Sequence, residues 1–190
     1  IIAQGGEAGG HAGSIGTFAL LPAIVDAVSP LPVVAAGGIA DGRGLAAALL
    51  LGAKGAWMGT RFVASQEWGG PAWEQDAVLA ATSDDTVQTR VYDLIGNRPF
   101  PAENPDRMLR NAFIDRWNAH ESEIPSQRAA LEAEVEAGHA RADLTVAGIS
   151  AGVSAGLIAD AQPAGDIVRE IVREAEALLR GRPRELLNGA

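Results

Sequence analysis

The sequence contains no cysteine, and this absence alone excludes several classes of protein. Without thiols there is no disulfide scaffold, no thiolate zinc site and no cysteine nucleophile. Positive charge is also scarce, because 15 Lys and Arg stand against 24 Asp and Glu in 190 residues, for a formal net charge of -9. Nucleic-acid-binding domains need clustered basic residues. The composition therefore predicts a protein without a nucleic-acid partner.

Long uncharged apolar runs are missing as well. The best candidate, residues 45–53, lies between Arg43 and Lys54 and is far shorter than the roughly 18 residues of a membrane span. The chain does not open on a basic segment followed by an apolar core, the pattern of a secretory signal. His, Asp and Glu nowhere show a convincing metal-ligand spacing. These absences predict no membrane association, no metal ion and a cytoplasmic location.

The apolar residues of the first part alternate between short strands and helices. Strands are predicted at residues 1–4, 32–36 and 56–59, and helices at residues 18–28 and 42–51. Asp41 is a favourable N-cap for the second helix, and Gly52 suits the position just past its end. The repeated order of strand, loop and helix is that of consecutive βα units in a parallel sheet. The predicted fold class is α/β.

After residue 70 the pattern becomes mainly helical. Helices are predicted at residues 72–81, 105–117, 126–141 and 166–180, with a strand or loop at 86–92 and a loop of small residues at 148–156. A tail is predicted from Gly181 onward. We therefore expect three parts, at residues 1–70, 71–180 and 181–190.

The chain opens on Ile1, Ile2, Ala3 and Gln4, which read as an apolar strand leading directly into a glycine-rich loop. The first residues of a domain usually fray. A chain that begins inside a strand is therefore expected to be part of a larger protein.

Glycines follow two of the predicted strands, at Gly37 and Gly38 and again at Gly59. Loops at the carboxyl ends of parallel strands commonly hold ligands. Glycine lets the backbone come close to an anion and direct N–H groups at it. The spacing is not that of a dinucleotide-binding Rossmann turn, and no acidic ribose ligand follows. From these residues alone, phosphate binding and simple tight turns are equally open.

Two segments, residues 148–152 and 152–156, match the G-x-S-x-G nucleophile pattern of α/β-hydrolases. In that fold the catalytic histidine follows the serine, and no histidine follows His139 in this sequence. We therefore read both matches as chance in a segment rich in small residues.

Three segments taken together resemble the motifs of the nitronate monooxygenase family, formerly called 2-nitropropane dioxygenases. The run from Gln4 to Gly13, QGGEAGGHAG, resembles the signature loop of that family. The runs from Ala35 to Gly44, AAGGIADGRG, and from Trp57 to Phe62, WMGTRF, look like its two FMN-phosphate segments in the same order and spacing. Residues 97–99 and 147–158 look like its C-terminal helical part, with lower specificity.

The resemblance implies an FMN-binding TIM (β/α)8 barrel, of which this chain would supply the C-terminal portion with about three strands, followed by a helical C-terminal region. It implies that residues 148–156 fold over the flavin. The cofactor would be FMN. The residues that would bind it by resemblance are Gln4, Gly9, Gly37, Gly38, Trp57, Met58, Gly59 and Thr60.

The implied activity is the oxidation of alkyl nitronates by O2 to a carbonyl compound and nitrite. FMN would carry the electron chemistry and the protein would position the reactants. His11 matches the active-site histidine of the family. An imidazole suits that role because it exchanges a proton near neutral pH, so it can remove the α-proton of a nitroalkane or hold an anionic nitronate. The expected partners are thus a small nitronate and O2, and the oligomeric state is left open.

Two other readings remain at this stage. Flavin-dependent NAD(P)H reductases of enoyl thioesters or quinones share an E-A-G-G-H-type loop and a Gly-Gly-Ile turn with this sequence. A reading of a different class is a truncated remnant without activity, because three strands do not close a barrel.

Overall fold

The computed structural model describes residues 1–187, which form two small sheets with helices around them. The strands are β1 (Ile2–Gln4), β2 (Gly10–His11), β3 (Val34–Ala36), β4 (Gly55–Trp57), β5 (Thr86–Thr89) and β6 (Asp106–Leu109). The helices are α1 (Thr17–Val28), α2 (Gly42–Leu50), α3 (Thr60–Val63), α4 (Ala72–Ala80), α5 (Val91–Ile95), α6 (Ala112–Asn118), α7 (Ile124–Ala140) and α8 (Ala164–Leu187). Short 3₁₀ segments lie at Ser83–Asp85, Glu121–Glu123 and Val153–Leu157.

The first sheet is parallel and confirms the predicted βα units. Its order is β1, β3, β4, with Ile2 opposite Val34 and Val34 opposite Gly55. Helices α1 and α2 connect these strands, and Leu21 and Ala35 are completely buried between helix and sheet. Because the strands are parallel, their carboxyl ends meet at one edge, where the glycine-rich turns follow.

Helix α2 begins and ends as its sequence predicts. The Asp41 side chain accepts a hydrogen bond from the Gly44 N–H at 3.0 Å, and Gly52 adopts a φ of +101° just past the helix. Helix α8 packs on α2, and Glu174 accepts a hydrogen bond from the Gly42 N–H at 2.7 Å. A Cβ on Gly42 would lie 2.5 Å from the Glu174 Cβ. The close contact between these helices therefore depends on glycine.

The second sheet is antiparallel, in the order β2, β6, β5, and it corrects the sequence prediction. A helix over residues 105–117 is wrong in its first part, because Asp106–Leu109 is strand β6. Burial alternates along this strand, with Asp106 and Met108 buried. The apolar residues do not alternate there, so pairing with β5 and β2 sets the strand conformation. Helix α6 starts only after Asn111, whose side chain accepts a hydrogen bond from the Ile114 N–H at 2.8 Å.

Residues 86–92, predicted as strand or loop, divide into β5 and the start of α5. Around α5 and α6 lies a hydrophobic core separate from the one between the parallel sheet and its helices. It includes Val91, Phe113, Ile114, Trp117 and Ile124. Helix α8 continues to Leu187, past the Gly181 at which the sequence predicts a tail, and residues 188–190 lie outside the described part. Within residues 1–187, no helix combines the length and the apolar character needed to cross a membrane.

Candidate active site

A cavity of about 360 Å³ opens at the carboxyl ends of β1, β3 and β4. Its volume is in the range of small-molecule sites, roughly 300–1,000 Å³. The structure brings all eight residues of the expected cofactor site to its wall: Gln4, Gly9, Gly37, Gly38, Trp57, Met58, Gly59 and Thr60. Apolar side chains such as Ile39, Val63 and Trp68 complete much of the lining.

Two glycines of this wall, Gly37 and Gly38, are required by their backbone conformation. Gly37 has a φ of +99° and Gly38 a φ of +73°, values that L side chains rarely adopt. A Cβ on Gly37 would also lie 3.0 Å from the Ala8 nitrogen. At Gly59 a Cβ would meet nothing within 4 Å, so this residue faces open space.

The wall offers an anion backbone N–H groups and the hydroxyls of Thr60 and Ser154. In the described part of the chain, the N–H groups of Gly37, Gly38 and Gly59 donate no hydrogen bond to the protein. Among residues 1–187, neither Lys nor Arg lines the cavity. The nearest basic residue in sequence, Arg61, is buried and donates to the Asp160 carbonyl at 3.1 Å. A phosphate at this wall would therefore be held by backbone N–H groups and neutral hydroxyls.

The segment at residues 148–156 closes one side of the cavity. The Gly152 N–H donates to the Thr60 hydroxyl at 3.0 Å, and the Val153 N–H donates to the Glu7 carbonyl at 3.0 Å. A Cβ on Gly9 would lie 2.7 Å from the Gly152 nitrogen, so the two backbones are in direct contact. The small residues of this segment allow that approach.

His11 lies beside the cavity rather than in its lining. It follows Gly10, which does line the cavity, and it pairs with Asp106 across β2 and β6. Its Nε2 is 2.8 Å from Asp93 Oδ2. Its ring stacks on Phe100 with the ring centroids 3.4 Å apart and the planes inclined by 11°. The imidazole is thus held on one edge and one face.

Two buried carboxylates accompany His11. Asp93 is 6% exposed, and its Oδ1 has no hydrogen-bond partner in the described residues but lies 3.9 Å from Arg98 Nη1. Burial raises the pKa of Asp106, while the nearby His11 and a hydrogen bond from Ser150 act in the opposite direction. The Ser150 hydroxyl donates to Asp106 at 3.1 Å. Because Ser150 lines the cavity, polar contacts lead from the cavity wall toward His11.

Sequence reasoning missed four members of this arrangement. Asp93 and Phe100 are brought to His11 from distant parts of the chain, and no local spacing connects them with it. Asp106 was assigned to a helix instead of a strand. Ser150 belongs to one of the hydrolase-like matches, and its place in the cavity wall is unrelated to that pattern. The one available signal was Asp93 itself, an acid inside the apolar run VYDLI.

No group of three or more His, Asp or Glu residues that could hold a metal ion occurs within residues 1–187.

Comparisons with known proteins agree with this architecture. The sequence profile of the family described as nitronate monooxygenase matches residues 1–174. A Mycobacterium tuberculosis protein named a monooxygenase is 50% identical over 125 residues, which cover 66% of this chain and 31% of that protein. A Staphylococcus aureus protein named a nitronate monooxygenase is 41% identical over 135 residues, covering 66% of this chain and 35% of that protein. The chain spans about a third of the length of these relatives.

Solved structures match nearly the whole chain. The structure of FabK from Thermotoga maritima superposes with a TM-score of 0.79 at 36% identity, covering 99% of this chain and 56% of that one. The nitroalkane oxidase of Streptomyces ansochromogenes gives a TM-score of 0.79 at 30% identity, covering 96% of this chain and 52% of that one. The fold is accordingly a portion of a TIM barrel with three parallel strands, followed by a largely helical region.

Proposed function

The chain belongs to the nitronate monooxygenase family, and on that basis we propose that the protein carrying it is an FMN-dependent oxidoreductase that oxidises alkyl nitronates. The products are a carbonyl compound and nitrite, and O2 is the electron acceptor. One observation supports this proposal above the others: the eight residues expected to contact FMN, which come from three separate motifs, line a single cavity.

The donors and surfaces of the cavity suit FMN. Its phosphate oxygens need hydrogen-bond donors, and the N–H groups of Gly37, Gly38 and Gly59, which donate to no other group within residues 1–187, are available. Its flat ring needs apolar surface, which Trp57 and Met58 provide. When bound, FMN supplies the electron transfer between the nitronate and O2. The protein residues bind it, and the segment at residues 148–156 limits access of water to the site.

His11 is the proposed base for neutral nitroalkanes. It takes the α-proton, and the C–H electron pair stays on the substrate as the nitronate. A substrate added as the anionic nitronate has already lost that proton. His11 then only binds the anion, by a hydrogen bond or by charge. The two forms of substrate therefore depend differently on the same side chain.

Substitution His11→Asn tests this assignment in the full-length, FMN-loaded protein. We expect turnover of a neutral nitroalkane, measured as nitrite release, to fall by about 10²- to 10⁴-fold, the usual contribution of a general base. FMN content should be unchanged. His120→Asn is the matched control, because His120 is exposed and its Nδ1 lies 3.0 Å from Glu123 Oε1, away from the cavity lining. Unchanged turnover in His11→Asn would remove His11 from the mechanism.

A second candidate function is an NAD(P)H-dependent flavin reductase of enoyl thioesters or quinones. The observation that favours it is the match of nearly the whole chain to FabK at a TM-score of 0.79. The two candidates differ in the source of electrons, since the reductase takes them from NAD(P)H and the oxidase takes them from the nitronate. Reduction of the flavin without oxygen separates them.

A further inference from the structure

We propose that Asp93 is a positioning residue that fixes the orientation and the protonated nitrogen of His11. This inference rests on the proposed role of His11 as the base for neutral nitroalkanes. Its structural basis is the 2.8 Å contact between His11 Nε2 and Asp93 Oδ2. The Asp93 side chain is 7% exposed and that of His11 is 18% exposed, so water competes little for either group.

The contact selects one tautomer of the neutral imidazole. A carboxylate only accepts hydrogen bonds, so the nitrogen facing it must carry a hydrogen. Nε2 is therefore the N–H nitrogen, and Nδ1 is the nitrogen left with a free lone pair. The hydrogen bond made by one ring nitrogen of a histidine thus determines that the other nitrogen is the one that can accept a proton. His11 accepts a substrate proton at Nδ1.

The surroundings keep Asp93 and His11 in this arrangement. Phe100 covers one face of the imidazole, and Gln4 donates a hydrogen bond to the His11 carbonyl at 2.9 Å. Asp93 lies on α5, and its carbonyl accepts a hydrogen bond from the Arg98 N–H at 2.9 Å. These contacts restrict the ring before substrate arrives. The entropic cost of orienting the base in the transition state is therefore smaller.

The proton and the charges balance in this step. The α-carbon of the nitroalkane loses a proton to Nδ1, and the electron pair remains on the nitronate. His11 becomes an imidazolium, and Asp93 stays a carboxylate that stabilises it without taking the proton. Asp106 on β6 interacts electrostatically with His11, and Arg98 after α5 lies 3.9 Å from the other oxygen of Asp93. Asp93 is the one in hydrogen-bond contact.

The test compares Asp93→Asn with wild type in the full-length, FMN-loaded protein. The amide removes the charge and can donate to Nε2, so both the tautomer and the imidazolium lose support. We expect kcat for a neutral nitroalkane to fall about 10- to 100-fold, as for other residues that orient a reacting histidine. For the preformed nitronate kcat should change by less than about twofold, because no proton is removed, and weaker binding of the anion by His11 should appear in KM alone. Asp93→Glu should recover part of the loss.

Controls separate positioning from folding. Asp166→Asn makes the same chemical change at an exposed site on α8, where Asp166 pairs with Arg169, and should leave both substrates unaffected. Equal losses on nitroalkane and nitronate in Asp93→Asn would show a general structural role and overturn the proposal. Unchanged turnover of the neutral nitroalkane would also overturn it.

A measurement without turnover keeps the inference separate from the proposed function. In ¹⁵N-histidine-labelled wild type, the His11 ring should carry its hydrogen on Nε2, and Asp93→Asn should move hydrogen to Nδ1. A wild-type ring with an unprotonated Nε2 would contradict the role of Asp93. If wild type oxidises neither substrate but shows the Nε2–H form, the proposed function fails while the positioning of His11 by Asp93 stands.

Discussion

Individual residues near the cavity have two kinds of role: some leave space in its wall, and others fix the position of a neighbouring side chain. Gly59 leaves space, whereas Asp93 holds His11 by a buried contact. Tyr92, the neighbour of Asp93, is buried as well, and its hydroxyl donates to the Val146 carbonyl at 2.6 Å and accepts from Asn111 at 3.1 Å. Tyr92 thereby ties α5 to the segment that follows α7.

The burial of Tyr92 predicts a loss of stability in alkaline solution. Burial raises the pKa of Tyr92 to about 12, against the smaller opposing effect of the hydrogen bond from Asn111. In the unfolded chain the phenol titrates near its ordinary pKa of about 10. Between these values the folded protein retains a proton that the unfolded chain has lost, so the free energy of unfolding decreases as pH rises. The expected decrease is about 2 kcal/mol.

Denaturant unfolding of wild type and Tyr92→Phe across this pH range measures the effect. Tyr92→Phe should be less stable near neutral pH, because it loses two hydrogen bonds, and its stability should fall less steeply above about pH 10. The same steepness in both proteins would mean that Tyr92 is not the group responsible.

At the scale of elements, local sequence signals succeeded where local contacts decide the structure. Helix α2 has a side-chain cap at Asp41 and a left-handed glycine at Gly52, and both can be read from the sequence. Strand β6 could not be read in this way, because its conformation depends on pairing with β2 and β5. The apolar residues at 106–109 do not alternate, and the buried residues there are Asp106 and Met108, so the partner strands are what exclude the helix.

The packing of α8 on α2 gives the prediction at this scale. A Cβ on Gly42 would lie 2.6 Å from the Ala175 nitrogen and 2.7 Å from the Ile171 carbonyl oxygen. These are backbone atoms, so Gly42→Ala must displace one helix from the other. We expect the free energy of unfolding to fall by about 1–3 kcal/mol, the usual cost of overpacking, in a denaturant titration.

Gly181→Ala is the matched control for that substitution. Gly181 lies within α8, and a Cβ there would meet nothing within 4 Å. Alanine should therefore leave stability unchanged or raise it by up to about 1 kcal/mol through helix propensity. Equal effects of the two substitutions would contradict the close contact at Gly42.

At the scale of the whole molecule, the cavity wall could be foreseen and the His11 cluster could not. The wall residues occupy three motifs that each follow a parallel strand, so their meeting at one sheet edge follows from the fold class. Asp93 stands 82 residues after His11 in the sequence, and its approach depends on how the second sheet and α5 pack together. The spacing of apolar residues along the sequence carries no information about a contact between residues so far apart in the chain.

The proposed function depends on where the flavin obtains its electrons. The measurement that tests it most directly mixes the full-length, FMN-loaded protein with an alkyl nitronate or with NADH in the absence of oxygen and follows the visible absorbance of the flavin. We predict rapid bleaching by the nitronate and an oxidised flavin that persists with NADH. Rapid bleaching by NADH without reaction of the nitronate would instead identify a reductase, and a protein that retains no FMN would contradict both functions.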